Sequence, residues 1–355
     1  MSEPTRVLVV DDSAVVRQTL LAVLSPEEGF AVETAADPFI AMRRMERTPP
    51  HVIVLDLELP RMDGLTFLRR LVAAPHPVPV VVCSSLSGGT SAMRALEQGA
   101  VAVVEKPRLD MRGFLLESAV RLVDTVRGAA QARVGRPRVV VPAPPSTVTV
   151  EVRRRPGTVI AVGASIGGPE ALRELLAPLP SDAPPVLVVQ HLPEAFTRAL
   201  AARLDQCCRV RVREAAHGDA VLPGQVLVAP GDRHLLLRRH HGGGYVVHLS
   251  SGPLVSRHRP SVDVLFRSVA QAAGASAVGI ILTGMGDDGA EGLLEMRRAG
   301  ALTLAQDERS CVVYGMPREA VARGAASASL PLRRLSEALA GPPAALSADR
   351  SRTSA

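Results

Sequence analysis

The sequence predicts an α/β protein built from two doubly wound parallel-sheet domains. Three observations carry this. Short valine-rich apolar runs alternate with amphipathic stretches over residues 1–127. The alternation fails in a proline- and arginine-rich segment, residues 128–157, and resumes over residues 158–340. A chain of 355 residues is long enough for two such cores.

The elements read in order. The apolar runs of the first domain are RVLVV, AVETA, VIVLD, VPVVVCS and AVAVV. They are nearly continuous, as strands covered on both faces should be. Between them SAVVRQTLLAVL, PFIAMRRMER, LTFLRRLVAA and SAMRALEQ carry a helical period, and MRGFLLESAVRLVDTV follows the fifth run. The linker RPRVVVPAPPSTVTVEVRRRPG has no helical period. In the second domain TVIAVGA precedes GGPEALRELLAPL, and PVLVVQH precedes EAFTRALAARLDQ. Short strands with turns follow in QVLVAPGDRHLLL and YVVHLS. A helix VDVLFRSVAQAAG, a strand AVGIILTG and a helix AEGLLEMRRAG complete the pattern. Residues 341–355 are expected to be a disordered tail.

Composition excludes several classes. Hydrophobic residues make up 47% of the chain and charged residues 21%, which is ordinary for a globular core. Aromatics are only 2% and tryptophan is absent, too few rings for a protein that stacks bases. The net charge is +6, but residues 128–157 hold six arginines against one glutamate, so most of the excess lies in the linker. A nucleic-acid partner is therefore not expected. The four cysteines, Cys83, Cys207, Cys208 and Cys311, lack metal-ligand spacing and read as free thiols of a cytoplasmic protein. No signal peptide or apolar run long enough to cross a bilayer is found, so no membrane insertion is expected.

The carboxyl ends of the first domain's strands carry acidic residues. Asp11 and Asp12 end the first run and Asp56 ends the third. In the strand order 2-1-3-4-5 the first and third strands are neighbours, and ligands sit beyond the carboxyl ends of such strands. Three clustered carboxylates repel unless a cation lies among them, and their hard oxygens suit Mg²⁺. The fourth run ends in Cys83-Ser84, which supplies a hydroxyl. The fifth ends in Lys106, the single lysine among 41 basic residues. A compact ammonium on a flexible stem pairs with a carboxylate or phosphoryl oxygen where a planar guanidinium fits poorly.

The second domain has a different constellation. Gly163-x-Ser165-x-Gly167 lies between a strand and a helix, the pattern of a nucleophile elbow. A phosphate loop is excluded by the lack of GxxxxGK or GxGxxG. A serine nucleophile needs a base and the base needs an orienting group. His191 ends PVLVVQH, and Asp287 and Asp288 follow AVGIILTGMG, all at strand ends. Position alone does not separate the two aspartates. Among the other histidines, His240 and His241 read as solvated, while His217, His234, His248 and His258 are possible pocket residues.

These motifs carry two resemblances. VLVVDDS, VIVLDLELPRMDG, VVCSS and VEKP resemble the receiver domain of bacterial response regulators. GASIGGPEAL, QHLPEAFTRALAARLD, LPGQVLVAPGDRH, RHRPSVDVLFRSVA, LTGMGDDGAEGL and QDERSCVVYGMPREA are similar to the catalytic domain of the CheB-type chemotaxis protein-glutamate methylesterases. The resemblance implies a flavodoxin-like receiver followed by an α/β catalytic domain. It implies that Asp56 accepts a phosphoryl group from a CheA-type histidine kinase. Asp11, Asp12 and Asp56 would hold Mg²⁺, and Ser84 and Lys106 would read the phosphorylated state. It makes Ser165 the nucleophile, His191 the base and Asp288 the orienting carboxylate, with no cofactor for the esterase. The substrates implied are glutamyl γ-methyl esters, and certain glutamines, on methyl-accepting chemoreceptors. The amides of Ile166 and Met285 are candidate oxyanion donors. This chain departs from the family at Asp287, often asparagine, and at Ile166, often threonine.

The architecture also implies regulation: the unphosphorylated receiver is expected to cover the Ser165 edge, and phosphorylation to weaken that contact. A transcriptional regulator would need a compact helix-turn-helix output, which residues 158–340 do not have. A signalling adaptor with an inactive triad is distinguished from the enzyme by an esterase assay.

Overall fold

The computed structural model describes residues 3–27, 29–85, 88–107, 112–135 and 157–341. The first domain runs β1 (Thr5–Val10), α1 (Ala14–Leu24), β2 (Phe30–Ala35), α2 (Pro38–Arg47), β3 (Val52–Asp56), α3 (Gly64–Val72), β4 (Val80–Ser84), α4 (Gly89–Glu97), β5 (Ala102–Glu105) and α5 (Arg112–Ala129). Its five strands are parallel in the order β2-β1-β3-β4-β5. Every residue of β3 and β4 is buried, whereas the edge strand β2 alternates. Short polar side chains start the helices. Ser13, Asp37 and Asp63 each accept a backbone N–H from the first turn of α1, α2 and α3.

The second domain follows with β6 (Val159–Ala164), α6 (Gly168–Leu176), β7 (Val186–Gln190), α7 (Glu194–Cys207), β8 (Arg211–Glu214), β9 (Gln225–Val228), β10 (His234–Arg239) and β11 (Tyr245–Ser250). Then come α8 (Val262–Ala273), β12 (Ala277–Ile281), α9 (Ala290–Arg298), β13 (Leu302–Gln306), α10 (Met316–Ala322), β14 (Ala328–Leu330) and α11 (Leu332–Ala340). Seven parallel strands form one sheet in the order β14-β13-β12-β6-β7-β9-β8. The expected doubly wound class holds in both domains, with one addition. β10 and β11 form a separate antiparallel hairpin whose connection, His240 to Gly244, was legible only as a glycine-rich turn.

Residues 128 and 129 continue α5, and most of the segment read as the linker, residues 136–156, lies outside the described residues, as does the tail from residue 342. The two domains are packed together. One buried apolar cluster contains Leu96 and Val103 of the first domain with Phe196 and Leu200 of the second. A second joins Val101, Val104 and Val126 to Ile166 and Val313. Helix α4 lies on α7, where Glu97 pairs with Arg203.

Burial makes the core the dominant stabiliser and leaves the surface ion pairs minor. Phe266→Ala, at a fully buried position of α8, is expected to lower stability by about 3–5 kcal/mol. Arg203→Ala, at a half-exposed pair, is expected to cost less than about 1 kcal/mol. Urea denaturation of each variant checks both.

Candidate active site

β6 and β12 are central neighbours, so the chain segments leaving their carboxyl ends lie side by side. Ser165 leaves β6, and its N–H donates to the carbonyl of Thr283, which follows β12, at 3.0 Å. The turn into α6 is made by Gly167 at φ +75, where a β-carbon would be strained and would meet Val312 at 2.6 Å. Two buried side chains that sequence reasoning missed hold this turn. Thr283 Oγ1 donates to the Ile166 carbonyl at 2.9 Å. Gln190 Nε2 donates to the carbonyls of both Ser165 and His191, at 2.8 and 3.2 Å. Gln190 is the residue before His191, but nothing in the spacing says which way its amide turns.

His191 leaves β7 on the other side of β6. Its Nε2–H donates to Asp288 Oδ2 at 2.8 Å. Asp288 is 1% exposed and sits on the amino end of α8. Its carboxylate accepts Ser261 Oγ–H at 2.8 Å and the N–H groups of Val262 and Asp263 at 2.8 and 3.0 Å. Burial pushes the Asp288 carboxyl up, but its bond to His191 and the helix amide of Asp263 outweigh this and hold it below the ordinary range. An ionised Asp288 fixes the Nε2–H tautomer of His191. Nδ1, buried and without a hydrogen-bond partner, is the nitrogen left to accept a proton. Among the described residues Ser165 Oγ has no hydrogen-bond partner, and both residues line one cleft.

The structure separates the two aspartates. Asp287 is half-exposed and pairs with Arg323 at 2.8 Å, so its charge faces α10 rather than the base. The histidines also sort. His240 and His241 are exposed. His217 and His248 meet edge to face at 4.5 Å beside the β10–β11 hairpin. His234 accepts the Ser261 N–H and so supports the helix end under Asp288. His258 alone of these four joins His191 at the cleft, stacked on it with ring centroids 3.7 Å apart.

The cleft has about 860 Å³ of empty volume, part of it open to solvent, and the first domain forms one wall. Val101 to Glu105 and the α5 residues Ser118 and Arg121 face Ser165, Ile166 and His191. The Gly167 N–H donates to the Val101 carbonyl at 2.9 Å. Gly128 of α5 lies so close to the elbow that a β-carbon there would stand 2.5 Å from Ile166 and 2.7 Å from Met285. Arg133 closes the contact, its N–H on the Val312 carbonyl and its side chain on Glu308. Ile166, where a hydroxyl was expected, is a buried interface side chain. The N–H groups of Ile166 and Met285 donate no hydrogen bond among the described residues, so both are free for an incoming oxygen.

At the far end of the first sheet, Asp11, Asp12 and Asp56 each bring a carboxylate oxygen within 4.8 Å of the others. Lys106 Nζ lies 2.7 Å from Asp56 and 3.4 Å from Asp11. Burial and the neighbouring Asp56 carboxylate push the Asp11 carboxyl up against the pull of Lys106. Burial lowers the Lys106 ammonium, but its bond to Asp56 and both carboxylate charges raise it overall. The Asp11 Oδ2 atom is buried, and its polar partner among the described residues is the Lys106 ammonium at 3.4 Å. One cation does not balance three carboxylates, and this oxygen-only set fits Mg²⁺. Ser84 is buried at the end of β4, and among the described residues its hydroxyl bonds to the Ser85 carbonyl and not to Asp56.

Comparison with known proteins agrees with both halves. Residues 160–339 match the CheB methylesterase family and residues 7–113 the response regulator receiver domain family. The chain is 59% identical to a protein-glutamate methylesterase/protein-glutamine glutaminase of Anaeromyxobacter dehalogenans, over 93% of this chain and 94% of that one. It is 53% identical to a protein of the same description from Geobacter metallireducens, over 92% and 96%. The crystal structure of the Thermotoga maritima CheB methylesterase catalytic domain superposes with a TM-score of 0.51 at 37% identity, covering 52% of this chain and 97% of that one.

Two measurements follow from the charges. Asp288→Asn is expected to destabilise the protein by about 1–3 kcal/mol at neutral pH, because buried donors lose their ionised acceptor. A depressed carboxyl contributes stability above its ordinary value of 3.8 and loses it as pH falls through the lower folded value, so the deficit shrinks in strong acid. Asp11 has the opposite sign. Asp11→Asn is expected to raise Tm at neutral pH while abolishing Mg²⁺ binding, read by calorimetry with and without the ion.

Proposed function

The chain belongs to the CheB methylesterase family, and on that premise we propose that it is a phosphorylation-regulated protein-glutamate methylesterase of chemosensory adaptation. The observation that carries the reading is one sheet edge holding Ser165, His191 and the helix-seated Asp288, walled by the receiver domain. Ser165 Oγ attacks the γ-methyl ester carbonyl of a receptor glutamate while His191 Nδ1 takes its proton. Asp288 stabilises the imidazolium that results. The oxyanion is received by the N–H groups of Ile166 and Met285. The C–O bond to methoxide then breaks, His191 returns the proton, and methanol leaves. Water, deprotonated by the same nitrogen, attacks the acyl-enzyme; the ester bond to Ser165 breaks, His191 returns the proton to Ser165 Oγ, and a free glutamate leaves. With a glutamine substrate the same steps expel ammonia, which is the glutaminase activity named in the relatives.

Regulation runs through the receiver. Asp56 is the phosphoryl acceptor, supplied by a CheA-type histidine kinase. Asp11, Asp12 and Asp56 would hold Mg²⁺, which would neutralise carboxylate and phosphoryl charge. A phosphoryl group on Asp56 competes for Lys106 and offers the Ser84 hydroxyl a charged acceptor in place of the Ser85 carbonyl. Lys106 follows β5 directly, and the residue before β5, Val101, holds the Gly167 N–H. Phosphorylation therefore acts at both ends of one short strand, and the receiver leaves the cleft. The partners are methyl-accepting chemoreceptors and the kinase. No described helix is long and apolar enough to cross a membrane, and a cytoplasmic site of action fits receptor helices that project there.

Methanol release from methylated receptor membranes tests the reading. Ser165→Ala is expected to reduce it by at least about 10³-fold, and a small-molecule phosphodonor with Mg²⁺ to raise the wild-type rate. Full release by Ser165→Ala removes the nucleophile assignment. Gly128→Val tests the receiver wall separately. Overpacking costs about 1–3 kcal/mol, and falling on the closed arrangement alone it is expected to raise unphosphorylated release by roughly 5-fold or more.

A further inference from the structure

His258 owes its place to an unusual turn. Val255 and His258 exchange backbone hydrogen bonds at 3.1 and 2.9 Å across a two-residue hairpin turn. The two central residues, Ser256 and Arg257, have φ of 49 and 65. This is the geometry of a type I′ turn, which favours Asn-Gly and resists side chains such as these. A turn held in a conformation its residues disfavour needs anchors, and it has three. Ser256 Oγ reaches Asp263 at 3.3 Å. Arg259 forks onto Asp232 at 2.7 and 3.0 Å. Arg257 crosses to the receiver and pairs with Asp124 of α5 at 3.3 Å. The product of this arrangement is an imidazole laid flat on the catalytic base, with an angle of 13° between the rings.

We propose that His258 is a positioning residue for His191, and that the Ser256-Arg257 turn transmits the receiver's position to the base through it. This rests on the reading of Ser165 and His191 given above. His191 keeps one nitrogen on Asp288, which leaves its ring free to swing about that bond. The face of His258 removes this freedom and fixes where Nδ1 points. The charged and titratable groups around His258 are His191, Asp288, Arg257 and Arg121 of α5. Burial, with the nearby His191 and the two arginines, holds His258 well below the ordinary histidine range despite Asp288. A neutral ring offers its π face to the imidazolium that forms during catalysis, whereas a protonated one would repel it. An aromatic ring of any kind at this position should therefore serve, and an aliphatic one should not.

The experiment uses the full chain on methylated receptor membranes. His258→Ala is expected to lower kcat by roughly 10-fold or more with KM changed less than about twofold, and His258→Phe to restore kcat to within about threefold. The Phe variant separates positioning from misfolding. An unchanged kcat in His258→Ala, or a rise in KM alone, overturns the assignment and makes His258 a bystander or a substrate contact. The link to the receiver is read by a double-mutant cycle. Asp124→Ala is expected to change release by at least about twofold in the wild-type background and to have no effect in His258→Ala. Equal effects in both backgrounds, or none in either, overturn the transmission. Ser165→Ala is run alongside. If it retains activity, the functional reading itself has failed. If it is inactive while His258→Ala is normal, only the present inference has failed.

Discussion

β5 is the constraint on which the regulated enzyme depends. It has four residues, roughly 13 Å of chain, and each end carries a polar contact that belongs to a different site. Lys106, just beyond its carboxyl end, is held by Asp56 and Asp11. Val101, just before its amino end, holds the Gly167 N–H beside the nucleophile. β5 is hydrogen-bonded along its length to β4, and under the proposed regulation a change of partner for Lys106 would be carried along it to Val101. The apolar packing beneath gives that movement its consequence. Ile166, with Met285 packed beside it, shares a buried cluster with residues of β5 and α5.

The two halves solve one electrostatic problem in opposite ways. In the esterase, Asp288 stays ionised away from water because a helix end, a serine and a histidine all donate to it. The charge is satisfied and therefore fixed. In the receiver, Asp11 and Asp56 share one lysine, with the Asp12 carboxylate beside them. One ammonium leaves the cluster with excess negative charge, which a bound cation would offset. A catalytic site benefits from the first condition and a switch from the second.

Much of the architecture was legible because parallel sheets advertise themselves. Runs such as VIVLD and AVGII are buried on both faces and cannot be mistaken for amphipathic elements. Strand ends then locate ligands, which is why Asp11, Asp56, Lys106, Ser165, His191 and the Asp287-Asp288 pair could be singled out from the sequence. Long-range contacts were not legible. Gln190 and Thr283 are ordinary polar residues whose value lies in which carbonyls they reach across 25 and 117 positions. The stack of His258 on His191 depends on a turn that Ser256 and Arg257 disfavour locally, so propensity argued against it. Asp287 and Asp288 were indistinguishable as neighbours, and only the direction of each side chain, toward Arg323 or toward His191, separates them. Ser261, which caps α8 and also donates to Asp288, carried a usable signal as a serine just before a helical period.

The central claim is that the receiver restrains a fully assembled esterase rather than completing an unfinished one. The most direct test compares methanol release per enzyme for the full chain and for residues 157–341 alone, on the same methylated receptor membranes and without phosphodonor. The catalytic domain alone is expected to be faster, and its rate indifferent to phosphodonor. Equal or slower release by the isolated domain would contradict the account, because the receiver would then be either irrelevant to the cleft or a necessary part of it.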